Sequence, residues 1–268
     1  MKKIIRIVIV LTCAAIALFL IKYYKTGKTV FTIEWHEITL QTYPTMQPLF
    51  KQLQPIVTEA FVPMIKPCVY ATDPRVANVP DEKKHLVEQK VIDIISEISI
   101  SDFNGKIDQI YGGLQNNQIP VAYLAIAKDN QQKIIGFVLI RETHVKDHVK
   151  DDIAARVLNI TEGSLDSVAV DYSVRDEVFI DFLSVRPGTQ KKGVGKTLLF
   201  EVFNRCPHIK KIYLTTSASD FNKNTQGFYE HIGFTRALKV ESTSDEEKDV
   251  FNRNRILYMY KRAVKKNE

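Results

Sequence analysis

The run "VFIDFLSVRPGTQKKGVGKTLLFEVFNRC" (178–206) constrains the fold more than any other part of the chain. It passes without a break from a strand to a glycine-bearing turn to an amphipathic helix. "VFIDFLSV" is apolar on both faces, which suits a strand buried inside a sheet. Val194, Leu198 and Val202 make one stripe of the helix, with Leu199 and Phe203 beside it, and Pro207 ends it. The turn closes on "GKT", as a nucleotide-binding P-loop does. That motif also needs a glycine five residues before Gly195, and Gln190 stands there. The turn is therefore not a P-loop. Gly193 and Gly195 still let the backbone approach an anion with no Cβ in the way. The N–H groups from Lys192 to Lys196, Val194 among them, open a helix whose dipole favours negative charge. Lys191, Lys192 and Lys196 add to the attraction.

The rest of the chain supplies elements to pack around this unit. "VFTIEWHEITL" (30–40) alternates as a strand does, and "VAYLAIA" (121–127) and "KIIGFVLIR" (133–141) flank a polar turn and read as a hairpin. Helical patterns occupy parts of 45–62, punctuated by Pro48 and Pro55, and of 81–97. Downstream come the strand "IYLTTSA" (212–218), a short helix around 222–231, and strands near 234–241 and 254–262. An insertion of roughly 144–176 follows the hairpin and is helical in pattern at "DDIAARVL". The expected class is α/β (α+β): a mixed, mostly antiparallel central sheet flanked by helices, in one domain over 29–268.

Residues 1–28 stand apart. "IIRIVIVLTCAAIALFLI" (4–21) is apolar except for Arg6 and Thr12; at ~1.5 Å per residue it reaches about 27 Å, just short of a ~30 Å hydrocarbon core. "KYYK" follows it and suits a membrane interface, and its small residues lie inside the run, so it reads as an uncleaved transmembrane anchor. A cleaved signal peptide is the rival. Six of the 37 basic residues and no acidic one fall within 1–28, leaving 31 basic against 31 acidic residues in the body. The formal charge of +6 belongs to the N-terminus, and no nucleic-acid partner is indicated.

Two segments together resemble the GNAT superfamily of acyl-CoA-dependent N-acyltransferases. The turn matches [QR]-x-x-G-x-[GA] through Gln190, Gly193 and Gly195. "FNKNTQGFYEHIGF" matches N-x-x-A-x-x-[LF]-Y-x-x-x-G-F through Asn222, Phe228, Tyr229, Gly233 and Phe234, with Thr225 in place of the usual alanine. The resemblance implies acetyl-CoA as acyl donor, an amine acceptor and direct transfer. It places the backbone near Leu183 and Val185 against the cofactor, and Gln190, Lys191, Lys192, Gly193, Val194, Gly195, Lys196 and Asn222 around it. Tyr229 is then the general acid for the leaving thiolate, against a plain packing role. Asp181 interrupts an apolar strand and by alternation shares a face with Phe179, Leu183 and Val185. It reads as a base or substrate contact, or as an acid that orients the amine or pairs with a structural Lys or Arg. Glu142 and His144 are the reserves.

Other features point to little chemistry. His144 and His148 lack a third ligand, so no metal is expected, and Cys206 lacks a histidine–acid context. "NIT" (159–161) is a glycosylation acceptor only in an exported chain. The sequence reading is a membrane-tethered N-acetyltransferase with a cytosolic catalytic domain. Its acceptor sits between the first helical region, the insertion and the C-terminal strands. A GNAT-like module that binds acyl-CoA or a partner without turnover is the alternative.

Overall fold

The computed structural model describes residues 30–72, 76, 78–144, 158–164, 175–218, 222–242 and 255–262. Among the described residues eight strands form one sheet: β1 (Phe31–Ile38), β2 (Ala122–Asp129), β3 (Ile134–Glu142), β4 (Leu158–Gly163), β5 (Glu177–Val185), β6 (Lys211–Ser217), β7 (Thr235–Ser242) and β8 (Arg255–Lys261). Their order is β1-β2-β3-β5-β6-β8-β7-β4. Every pairing is antiparallel except β5 with β6. The parallel pair needs a long crossover, and helix α3 (Val194–Arg205) supplies it. Helix α4 (Lys223–His231) then joins β6 to β7. The strand read as central is central, and the 121–141 hairpin closes as expected.

Two helices between β1 and β2 are much longer than their sequence patterns suggest: α1 (Tyr43–Thr72) has 30 residues and α2 (Asp81–Gln115) has 35. At ~1.5 Å per residue they run about 45 and 52 Å. Pro48, Pro55, Pro63 and Pro67 all lie inside α1, and all four are exposed. Each removes one i→i−4 bond, but the freed carbonyls face water, where hydration replaces the lost partner. The opposite face of α1 buries Phe50, Leu53, Ile56 and Val57, and this packing holds the helix through its prolines. The helices are antiparallel: Gln54 Nε2 donates to Asn104 Oδ1 (3.1 Å), while further out Lys66 pairs with Glu88.

The sheet separates two main cores. One face packs α3 and α4 through Leu198, Leu199, Val202 and Tyr229 on Val138, Ile180 and Tyr258. The other packs α1 and α2 through Phe50, Leu53, Phe103 and Ile107 on Leu124, Phe137 and Phe182. A smaller cluster of Phe179, Tyr213, Leu238, Val240 and Leu257 lies toward β7. At ~1.5–3 kcal/mol for each large apolar side chain buried, either main core outweighs the local cost of a proline or glycine.

The insertion's described part is an edge strand: β4 pairs antiparallel with β7 and carries the "NIT" triplet. The helical pattern at 151–158 lies outside the described residues except for Leu158, which begins β4. The apolar run at 4–21, and with it the expected transmembrane helix, also lies outside them. Among the described residues no helix is long and apolar enough to cross a membrane.

Candidate active site

β5 is held on its two sides to different depths. Against β3 it pairs along its whole length, from Val178 opposite Glu142 to Val185 opposite Gly136. Against β6 it pairs only from Glu177 to Ile180, the last partner being Leu214. From Asp181 onward the two parallel strands diverge, and backbone groups of β5 face a gap where ladder bonds to β6 would otherwise form.

A β-bulge sits at the point of divergence. Leu139 lies opposite Phe182 and Ile140 opposite Ile180, so Asp181 is the extra, unpaired residue. The bulge breaks the two-residue alternation assumed from the sequence. Leu183 and Val185 do not share a face with Phe179: they pack with Val178 and Ile180 on the α3 side, and Phe182 turns to the α1–α2 side. The re-aimed pair reaches the start of α3. A Cβ built on Gly195 would lie 3.4 Å from the Phe228 ring, 3.6 Å from Val185 Cγ2 and 3.9 Å from Leu183 Cδ2.

The turn into α3 follows. Gly193 has φ +84°, in the left-handed region that L side chains rarely adopt, and caps the helix. The first intrahelical bond runs from Thr197 N–H to Gly193 O at 2.9 Å. The N–H groups of Val194, Gly195 and Lys196 precede it, in the first turn, where a helix leaves its donors without an intrahelical partner. Gln190 Nε2 donates to Val185 O (3.2 Å), tying the turn to the end of β5. Val194's side chain is buried in the core, so the backbone is what it offers an anion.

These parts line one cavity of about 940 Å³. Leu183, Val185, Gln190, Lys191, Gly193, Gly195, Lys196 and Asn222 are on its wall, together with Asp181 and Tyr229; Lys192 and Val194 are not. Asn222 donates Nδ2 to Thr216 Oγ1 (2.6 Å) and to Ser217 O (3.2 Å). The carbonyl partner fixes the orientation of the amide. Among the described residues Asn222 Oδ1 is buried with no hydrogen-bond partner, an acceptor on the cavity wall for a donor from a ligand. Backbone donors at a helix end, a gap of unpaired strand backbone and this orphaned acceptor fit the pyrophosphate and the amide-bearing arm of coenzyme A.

Tyr229 packs against Phe228, Phe234 and Tyr258, with ring centroids 5.2, 5.7 and 5.8 Å away. Burial, and then the neighbouring Tyr258, push its hydroxyl's pKa up, so it stays protonated at neutral pH. Asp181 is differently engaged. Its side chain is fully buried and takes Arg141 as a bidentate partner: Arg141 Nε donates to Oδ2 at 2.8 Å, and Nη2 donates to Oδ1. Burial pushes the carboxyl's pKa up while the guanidinium opposes the shift. Of its several sequence readings, the pairing with a structural arginine is the one with a partner in place.

The reserves lie elsewhere. Glu142 accepts from the Tyr123 hydroxyl (3.2 Å) and lies 3.5 Å from His208 Nε2; His144 lies 3.7 Å from Glu177. Neither lines the cavity. Cys206 is a free buried thiol, its pKa raised by burial, and His148 is outside the described residues. Ala60 and Phe61 fall in the first helical region expected to meet the acceptor; Met64 and Ile65 of α1 and Ile98, Ser99, Asp102 and Lys106 of α2, which complete that side of the cavity, lie beyond the helical patterns read from the sequence. Arg141 had a signal, as a lone cation ending an apolar strand.

A family model described as "Acetyltransferase (GNAT) family" matches residues 92–234. The chain belongs to the GNAT acetyltransferase family. Among solved structures, a GNAT-family acetyltransferase from Desulfovibrio desulfuricans matches at 12% identity and a TM-score of 0.45, over 87% of this chain and 100% of that one. The PaiA N-acetyltransferase of Thermoplasma acidophilum, solved with coenzyme A, matches at 14% identity and 0.38, over 86% and 99%. NAA60 of Arabidopsis thaliana, solved with a bisubstrate analogue, matches at 16% identity and 0.37, over 57% and 81%. A comparison with curated proteins finds no match.

Proposed function

We propose that this GNAT protein transfers an acetyl group from acetyl-CoA directly to an amine nitrogen. The observation that carries the reading is the continuity of the cavity. One cavity is lined by β5 residues beyond the point where β5 leaves β6, by the turn into α3, by Tyr229 and by the α1–α2 side chains. In this reading the α3 N-terminus and Lys191 and Lys196 hold the pyrophosphate, and unpaired β5 backbone holds the pantetheine arm. A backbone N–H of β5 donates to the oxyanion of the tetrahedral intermediate.

The acceptor first gives its ammonium proton to water. The neutral nitrogen forms a bond to the thioester carbon, and the carbon–sulfur bond then breaks. The Tyr229 hydroxyl protonates the leaving thiolate, and the proton lost from the acylated nitrogen returns to the phenolate. Asp181 serves in this scheme as a positioning residue: bonded to Arg141, it fixes the bulge that turns Leu183 and Val185 toward the cofactor.

CoA-thiol release by the full chain, with acetyl-CoA and a mixed amine panel, tests the reading. Release that depends on an acceptor supports it; tight acetyl-CoA binding with no release from any amine overturns it. That second outcome would favour a non-catalytic acyl-CoA-binding module, a reading supported by the engagement of the Asp181 carboxylate with Arg141. We also propose that residues 4–21 tether a cytosolic domain to a membrane, on the strength of the apolar run and its basic flanks. Recovery of the full chain in the soluble fraction, as for a chain lacking residues 1–28, would remove the tether.

A further inference from the structure

We infer that the acceptor carries a single ammonium group on an apolar body, and that Asp102 of α2 holds the ammonium. The inference rests on the N-acetyltransferase reading and names the substrate class for the half of the cavity that the family motifs leave blank. That half is walled by Ala60, Phe61, Met64 and Ile65 on α1 and by Ile98 on α2. Its wall is mostly apolar, with Ser99, Asp102 and Lys106 of α2 as its polar members, so an acceptor rich in hydrogen-bonding groups would leave most of them unpaired there.

Among the described residues two carboxylates line the cavity, Asp102 and Asp181. Asp181 is buried and matched by Arg141. Asp102 is exposed and makes no hydrogen bond or ion pair among the described residues. It lines the same cavity as Asp181, which sits where β5 and β6 part. An ammonium held by Asp102 would share one cavity with the gap in which the thioester would be held.

The neighbouring residues on α2 limit what else the acceptor can be. Ile94, Ile98 and Asp102 follow one another at four-residue intervals and so form one stripe. Ile94 is 55% exposed and Ile98 is 40% exposed. From Asp102 the stripe leads away from the sheet, out along the N-terminal half of α2, and gives an apolar chain a surface to follow. Lys106, one turn to the other side of Asp102, also lines the cavity, and its ammonium is drawn toward Gln109 Oε1 (3.3 Å). A second positive charge on the acceptor would meet Lys106, which disfavours polyamines.

The test is calorimetry on the full chain saturated with coenzyme A, titrated with n-alkylamines from propylamine to octylamine and with spermidine. CoA release from acetyl-CoA is measured separately on the same set. The expected result is affinity rising by up to about fourfold per added methylene, with octylamine at least about tenfold tighter than spermidine. Asp102→Asn should weaken octylamine by about tenfold and leave the acetyl-CoA dissociation constant unchanged. Ile98→Ser should flatten the dependence on chain length. Spermidine binding as tightly as octylamine, no alkylamine binding, or an Asp102→Asn protein indistinguishable from the original would each overturn the inference. Alkylamine binding without CoA release would keep the inference and remove the enzymatic reading. Release from polyamines alone would do the reverse.

Discussion

The cavity has two halves that obey different rules, one proposed for the cofactor and one for the acceptor. The cofactor half, running from β5 through the turn into α3 and across to α4, works mainly through backbone: diverging strands, a left-handed glycine, free N–H groups at a helix end. The acceptor half, α1 and α2, works through side chains on two long helices whose packing positions Phe61, Met64, Ile98 and Asp102. Backbone devices demand particular residues at fixed spacing, because only glycine tolerates the required φ or approach. A helix face demands only a pattern of apolar and polar positions, which many sequences meet. The first half therefore carries a motif and the second does not.

The largest expected effect lies where the halves meet. Tyr229→Phe should lower turnover by about a hundredfold or more, the range for a general acid, with acetyl-CoA affinity unchanged by calorimetry. Loss of affinity in parallel with turnover would reassign Tyr229 to packing, since its ring already contacts Phe228, Phe234 and Tyr258.

Next is Arg141→Met. Removing one partner of a buried ion pair costs about 3–5 kcal/mol, seen as a fall in the denaturation midpoint. Adding Asp181→Leu should recover most of it, since an apolar pair leaves no uncompensated charge. If instead Asp181→Asn abolishes turnover while the midpoint holds, Asp181 acts on the substrate and the positioning role fails. A branched side chain in the cofactor half, Gly195→Val, should weaken acetyl-CoA by roughly tenfold or more without touching amine binding. An equal loss of amine affinity would mean that the two halves are not separable.

Alkaline pH gives a smaller, graded effect. Tyr123, Tyr213, Tyr229 and Tyr258 all have their pKa raised, with burial the largest cause in each. The unfolded chain loses these protons near pH ~10, while the folded chain holds them to higher pH. The stabilisation is therefore complete below pH ~10 and lost as pH rises through the folded values. Melting temperatures between pH 8 and 11 should be level and then fall, with a shallower fall for Tyr229→Phe. Last and smallest is Thr225→Ala. Thr225 Oγ1 lies 4.0 Å from Met64 Sδ, a contact between α4 and α1 across the cavity. Its loss should change stability by less than about 0.5 kcal/mol; a larger change would show that the halves are mechanically joined there.

Much of the acceptor half was within reach of sequence reasoning and was missed for identifiable reasons. Ser99, Phe103, Ile107, Ile110 and Leu114 recur at helical spacing along 98–115 and are buried. The stretch "ISISDFNGKIDQIYGGLQ" also holds serines, Asn104 and three glycines, whose low helix propensity hid the period. In α1 the prolines suggested breaks, but all four fall on the solvent face. The β5 bulge left no trace at all. A strand's faces follow from counting by two, and one extra residue at Asp181 reverses every assignment after it.

The GNAT character of this chain, its strand–turn–helix unit and the central place of "VFIDFLSV" are legible in the residues alone. Each is a local requirement, met by residues a few positions apart, so it is written contiguously. Long-range packing sets that Asp181 belongs to Arg141, forty residues away in the chain, that Leu183 and Val185 face α3, and that Asp102 lines the cavity with no partner among the described residues. Those facts depend on strand register and on where two long helices cross the sheet. Register and crossing are set by how the whole core packs, and no short stretch of sequence carries that sum.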